Sequence, residues 1–110
     1  MKTAELTGAA LDWAVCKAKG EYQCPVDEYT KVWMASRRYS TDWLLGGPII
    51  EREKIAVVPD EFSSGWNAHT CHFDGQDEDV SKGPTPLIAA MRCYVASVLG
   101  DTVDIPEELT

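Results

Sequence analysis

The stretch from Gly83 to Gly100 reads GPTPLIAAMRCYVASVLG and predicts the best-defined helix of the chain. Thr85 is an N-cap, Pro86 suits the first helical position, and Gly100 supplies the stop. A broad apolar stripe runs along this helix: Leu87, Ile88, Met91, Tyr94, Val95, Val98 and Leu99. The opposite side holds small, uncharged residues, and Arg92 is the helix's only charge. We therefore expect a sheet to cover one side and a second helix, from this chain or from another copy of it, to cover the other.

A further helix is predicted over residues 8–19, between Thr7 as N-cap and Gly20 as the terminating residue. Four apolar residues share one stripe at helical spacing: Leu11, Ala14, Val15 and Ala18. Asp12 lies off this stripe and Trp13 lies nearly opposite it, so Trp13 needs a second packing surface. A sheet, a loop or a neighbouring subunit would provide one.

The middle of the chain predicts strands at 31–35, 49–58 and 66–73, which are rich in Val, Ile, Trp and Thr. An acidic surface loop is expected at 74–79. The order of helix, strands and helix indicates an α+β fold, with a small antiparallel sheet packed against the N-terminal and C-terminal helices. With 110 residues and no long linker, residues 1–110 are expected to form one domain.

The net charge of −8 argues against nucleic acid or an anionic membrane as partner, because binding to either depends on Lys and Arg. No stretch has the apolar length of a signal peptide or a membrane span, so we expect a soluble protein that stays in the cell.

The four cysteines are expected to be reduced in a cytosol. His69, Cys71 and His72 lack the spacing of a four-ligand set, so no metal or other cofactor is expected.

The basic residues concentrate between Thr30 and Ile55, where the net charge is +2 against −10 for the rest of the chain. This window contains Arg37, Arg38 and Arg52 together with Tyr39 and Trp43. Guanidinium groups bind phosphate or carboxylate, and aromatic rings stack on planar groups. The window therefore suits a small anionic ring compound such as a nucleotide. The alternative is that its Trp residues are core and its Arg residues are solvated or paired with glutamates.

Residues 39–48, YSTDWLLGGP, are expected to form a loop. Ser40, Thr41 and Asp42 would ordinarily stabilise such a turn. In the alternative interpretation this is a ligand loop, in which Thr41 and Asp42 face the ligand, Asp42 accepts a hydrogen bond from it, and the Gly46-Gly47 pair allows the backbone to approach closely.

Two residues of the C-terminal helix complete the candidate binding set. Thr85 begins the helix, where exposed amides attract anions. Arg92 lies two turns later on an otherwise uncharged helix, so burial would require a partner. That partner is expected to be an internal carboxylate or, alternatively, a bound anion. No catalytic residues are predicted. The sequence favours a binding protein and leaves an enzymatic activity open.

Three blocks of the sequence resemble the NinX family of tailed-phage accessory proteins. They are LTGAALDWAV at 6–15, YSTDW at 39–43 with GGPIIERE at 46–53, and GPTPLIAAMRCYVAS at 83–97. The resemblance spans nearly the whole chain and implies a phage protein made in the host bacterial cytoplasm. It implies no mechanism.

Three functions remain open at this point. The first is a non-enzymatic sponge for a small anionic signal, such as a cyclic nucleotide or an ADP-ribose derivative, that counters host defence. The second is a protein–protein inhibitor of a host enzyme or a nucleic-acid mimic, which the acidic charge would suit. The third is an accessory role in phage recombination or a small hydrolase, for which no catalytic set of residues is indicated. A homo-oligomer is expected in addition, because the C-terminal helix lacks a charged outer face.

Overall fold

The computed structural model describes residues 1–20, 38–70 and 80–105. After a short 3-10 helix at Thr3–Glu5, these residues form α1 (Gly8–Lys19), α2 (Trp43–Glu53), β1 (Ile55–Pro59), β2 (Trp66–Thr70), β3 (Ser81–Gly83) and α3 (Pro86–Leu99). The predicted strand at 31–35, the acidic segment at 74–79 and the end of the predicted strand 66–73 lie outside the described residues.

Helix α3 forms where the sequence predicts it. Thr85 adopts an extended conformation and its Oγ1 accepts a hydrogen bond from the Ile88 amide at 3.1 Å. Pro86 follows as the first helical residue, and Gly100, with a φ of 90°, ends the helix. These signals are local, so they could be interpreted without knowledge of the fold.

Helix α1 also has its predicted bounds. Gly20 adopts the left-handed conformation and its amide donates to the carbonyls of Cys16 and Lys17, which ends the helix. Thr7 occupies the N-cap position, although its side chain makes no capping hydrogen bond.

The sheet is antiparallel with strand order β1-β2-β3. Ile55 pairs with Thr70 across β1 and β2, and Trp66 pairs with Gly83 across β2 and β3. Its buried residues, Ile55, Ala68 and Gly83, share one face, which packs on α3. The α+β class, with a small antiparallel sheet packed against helices, is thereby confirmed.

Helix α2 contradicts two predictions, the loop at 39–48 and the strand at 49–58. The strand begins only at Ile55, and the residues before it are helical from Trp43 to Glu53. The side chain of Asp42 caps this helix by accepting from the Leu44 amide at 3.0 Å. Ile49 is buried at helical spacing with half-buried Leu45. Packing therefore overrides the poor helix propensity of the Gly-Gly-Pro sequence.

Helix α3 lies at the centre of the fold. It contacts all three strands, while α1 packs chiefly on α3 and α2 packs on α3 and β1. Small residues allow this close packing on several sides, and Ala89, Ala90 and Cys93 are all buried. Helix α1 of the same chain packs on α3, so a second copy of the chain is not needed to supply the expected second helix.

Trp13 is likewise covered within the chain. Its side chain is 7% exposed, and the Lys17 ammonium lies 5.3 Å from the centre of its ring.

Among the described residues, no helix is both long and apolar enough to cross a membrane.

Candidate functional site

A cavity of about 680 Å³ lies beside the C-terminal half of α3. Its described walls come from three parts of the chain: the N-terminal segment with residues 101–102, the ends of β2 and β3, and the small-residue side of α3. Cys93, Ala96 and Ser97 form this last wall. The volume falls in the range of small-molecule sites, which is about 300–1,000 Å³.

Arg92 is the most buried charged residue of the cavity wall, with 9% of its surface exposed. Its Nε donates to the Leu6 carbonyl at 2.9 Å and its Nη1 donates to the Lys82 carbonyl at 2.8 Å. Two main-chain carbonyls, rather than the expected internal carboxylate, thus receive its hydrogen bonds among the described residues. The guanidinium consequently fixes the N-terminal segment and β3 to α3.

Burial lowers the pKa of Arg92 from its ordinary value. Because that ordinary value is so high, the side chain still carries its charge at neutral pH. The carbonyl oxygens carry only partial charges and do not neutralise it. The cavity wall therefore contains a buried positive charge without a carboxylate bonded to it in the described part of the chain.

Cations outnumber acids among the described residues that line the cavity. Lys2 and Lys82 line it together with Arg92, and Asp101 is the acidic residue of the described lining. Five hydroxyl side chains add donors and acceptors: Thr3, Thr70, Ser81, Ser97 and Thr102. Thr3 is itself held in place, because its Oγ1 donates to the Gly100 carbonyl at 2.7 Å. This composition is suited to a polar anion.

The residues predicted from the basic aromatic window lie elsewhere. Arg37 is outside the described residues, and Arg38 and Thr41 are exposed. Tyr39 is a core residue with 3% exposure, and the Lys19 ammonium lies 4.9 Å from the centre of its ring. Tyr39 therefore packs in the interior and does not offer a free ring to solvent.

Asp42, Trp43 and Arg52 are all placed by helix α2. Asp42 caps the helix, Trp43 is 56% exposed in the first turn, and Arg52 lies in the last turn. Nine residues at about 100° per residue place Trp43 and Arg52 on opposite sides of the helix. The Arg52 Nε contacts the Glu53 carboxylate at 3.1 Å, and its Nη2 lies 3.4 Å from the Tyr94 hydroxyl. The three residues thus do not converge on one site.

Gly46 serves the packing of α2 rather than an open ligand loop. A Cβ at this position would lie 2.5 Å from the Tyr39 carbonyl oxygen and 2.6 Å from Leu87 Cδ1. Thr85 caps α3 and does not line the cavity. Of the predicted binding residues that the structure describes, Arg92 is the one that lines the cavity.

Sequence reasoning missed Lys2, Lys82 and Asp101, which come from separate segments and meet only in the folded chain. A partial signal existed in the small residues on the reverse side of α3. Some of these residues are packing contacts, whereas Ala96 and Ser97 leave the space that forms the cavity.

Among residues 1–20, 38–70 and 80–105, no group of three His, Cys, Asp or Glu side chains could hold a metal ion. Cys16 and Cys93 are buried. The other two cysteines and His72 lie outside the described residues.

A family model described as "Bacteriophage P22, NinX" matches residues 2–98. The chain belongs to the NinX family. Strand β3 and helix α3 each provide a wall of the cavity, and the lining residues of both walls lie within the matched range of this NinX family protein. Arg92 and Lys82 are among them. A search of curated proteins finds no match. The family membership is consistent with a phage accessory protein.

Proposed function

We propose that this NinX family protein is a non-enzymatic sponge for a small anionic, nucleotide-like signal and that it counters host defence by sequestering that signal. The observation that supports the proposal is the buried Arg92 guanidinium in the wall of the cavity, with Lys2 and Lys82 beside it. Charge-assisted hydrogen bonds from such groups are the usual means of holding phosphate oxygens.

The overall charge of the molecule makes the position of these cations significant. A chain with a net charge of −8 repels anions at long range, so a bound anion must be held by local contacts. Binding at a partly enclosed cavity should consequently weaken only modestly with salt. Binding to many phosphates of a nucleic acid would instead weaken steeply.

The second candidate function is inhibition of a host protein. It is favoured by the start of α2, where Trp43 is 56% exposed and Leu44 is 81% exposed. Neighbouring exposed apolar side chains often mark a protein contact surface. The third candidate, a role in phage recombination, gains no support from the arrangement of the described residues.

Calorimetric titration with ADP-ribose derivatives and cyclic dinucleotides tests the proposal. We expect binding by the natural chain and at least a tenfold loss in Lys82→Glu, since a hydrogen bond to a charged group contributes about 1.5–3 kcal/mol and 1.4 kcal/mol is a factor of ten. The matched control is Lys17→Glu, which makes the same change in net charge at an exposed position outside the cavity.

A variant that fills the cavity without changing the charge tests whether the ligand binds in the cavity or is held only by the charge of the surface. Ala96→Phe fills the cavity without removing a charge and should abolish binding, whereas Val98→Phe, on an exposed position of the same helix, should not. Bound ligand should be recovered chemically intact. If no tested nucleotide binds and none is carried through purification, the sponge proposal is wrong. Capture of a host protein that is lost when Trp43 is replaced would support the second candidate.

A further inference from the structure

We infer that the turn between β1 and β2, residues 60–65, is a protein-binding surface with the ring of Phe62 as its anchor. Phe62 is 94% exposed, more than any other large apolar side chain in the described part of the chain. The turn joins Pro59 to Trp66, whereas the cavity is lined by Thr70 at the other end of β2. This surface is therefore separate from the proposed nucleotide site.

Hydrogen bonds fix the backbone of this turn. The Asp60 amide donates to the Gly65 carbonyl at 3.0 Å and closes the turn. Inside it, the Asp60 carboxylate accepts from the Phe62 amide and from the Ser63 hydroxyl, each at 3.0 Å. Gly65 lies so close to β3 that a Cβ there would be 2.9 Å from the Gly83 carbonyl oxygen. The turn thus presents Phe62 from a rigid support.

The ring of Phe62 takes no part in holding the turn. The hydrogen bond to Asp60 comes from the backbone amide of residue 62, which any residue other than proline could supply. Exposed apolar residues also precede the turn on β1, where Val58 is 43% exposed and Pro59 is exposed. Burial of the ring in a partner would gain its full hydrophobic free energy, and the ordered turn would lose little conformational entropy on binding.

Two carboxylates that directly precede Phe62 indicate the chemistry of the partner. The hydrogen bonds from the Phe62 amide and the Ser63 hydroxyl lower the pKa of Asp60, so this acid is charged at neutral pH. Glu61 is exposed, and the turn contains no basic residue. A protein that accepts the ring therefore needs an apolar pocket with Lys or Arg at its rim. The same acids and the net charge of −8 disfavour an anionic membrane or a second copy of this chain.

A photoreactive residue at position 62 tests what lies against the turn in host cells that make the chain. Replacement of Phe62 by p-benzoylphenylalanine keeps an aromatic ring at this position and cross-links the molecule in contact with it. We expect one predominant protein, cross-linked within an apolar pocket that has Lys or Arg at its rim. Cross-links to lipid, to a second copy or to many proteins without a predominant product, or no cross-link, would overturn the inference.

Calorimetric titration with the identified, purified partner then measures the contribution of the ring. Phe62→Ser should weaken binding at least about tenfold, and Phe62→Leu, which keeps an apolar side chain, should stay within about fivefold. Because the ring is exposed, neither variant should change the midpoint of urea unfolding. Val98→Ser, at a 50% exposed position of α3 outside the cavity, is the matched control and should bind like the natural chain.

Two sets of variants test the charge and the order of the turn. Glu61→Lys reverses a charge without touching the hydrogen bonds and should weaken binding, most strongly at low salt. Asp60→Ala should weaken binding more than Asp60→Asn, because both remove the charge and only alanine removes the acceptors that hold the turn.

Unchanged binding in Phe62→Ser, or tighter binding in Glu61→Lys, would overturn the inference. Nucleotide binding at the cavity should be the same in Phe62→Ser and in the natural chain, so a failure of either proposal leaves the other standing.

Discussion

Asp12 is a buried acid that the helical pattern of α1 placed off the apolar stripe. Its Oδ1 accepts from the Ser40 amide at 2.8 Å and from the Ser40 hydroxyl at 2.7 Å. Burial raises the pKa of Asp12, while the hydrogen bonds from Ser40 and the charge of Arg38 oppose that rise. The carboxylate thereby ties α1 to the turn that leads into α2.

We predict that Asp12→Asn removes a pH dependence of stability. Because the folded pKa lies above the unfolded value, the folded state binds more protons, so the contribution of Asp12 is full below pH 3.8 and is lost as the pH rises through the folded pKa. The amide oxygen still accepts from Ser40 and does not titrate. The variant should therefore gain stability relative to the natural chain as the pH rises from about 3.5 to 7, measured by urea unfolding.

The control is Asp12→Ala, which removes the acceptor as well as the charge. It should destabilise the fold by about 1–3 kcal/mol at every pH below the folded pKa, because the buried Ser40 groups lose their partner. A difference between Asp12→Asn and the natural chain that stays constant with pH would contradict the raised pKa.

Helix α2 depends on its contacts with α3. Adjacent glycines within it have different surroundings: a Cβ at Gly46 would collide with the Tyr39 carbonyl and Leu87, whereas a Cβ at Gly47 would meet only Trp43 Cε3, at 4.0 Å. Glycine at the first position is required by close packing, and at the second it only weakens the helix.

We predict opposite effects of alanine at these two positions. Gly46→Ala should destabilise the protein by about 1–3 kcal/mol through overpacking, and Gly47→Ala should stabilise it by about 0.5–1 kcal/mol through helix propensity. Denaturant unfolding measures both changes. Equal effects of the two substitutions would show that α2 does not pack on α3 in this manner.

The whole molecule remains a candidate for self-association, although for a different reason from the one that the sequence suggested. Helix α1 of the same chain already packs on α3, whereas Trp43 and Leu44 are exposed on α2. A small domain buries a limited share of its surface, and pairing through this region would bury more. We therefore keep the homo-oligomer as a prediction and move its interface to the start of α2.

Light scattering tests this assembly at micromolar concentration. The natural chain should have a mass that is a multiple of 12.2 kDa, and Leu44→Glu should reduce it to a monomer. An acid in the first turn of a helix is favourable, so loss of assembly would not reflect loss of α2. Phe62→Glu, at a position 94% exposed in the turn between β1 and β2, is the matched control. A monomeric natural chain would contradict the prediction.

The sequence by itself determined α1, α3 and the α+β class, because these depend on local signals: Thr85 and Pro86 at the start of α3, Gly20 and Gly100 at the ends, and apolar stripes at helical spacing. It also determined that Arg92 would need partners, since a charge on an otherwise uncharged helix is costly to bury. The resemblance of three sequence blocks to the NinX family was likewise sufficient for the family assignment.

Only the tertiary structure determined which residues these elements contact in the folded chain. Helix α2 exists because Asp42 caps it and Ile49 and Gly46 pack inward, which outweighs a sequence that locally favours a loop. The Arg92 partners are carbonyls at Leu6 and Lys82, whose sequence separation from the arginine carries no pairing signal. The cavity likewise unites residues from the two ends of the chain. Hydrogen bonds to main-chain carbonyls leave no trace in side-chain identity, and for that reason the cavity is visible only in the folded chain.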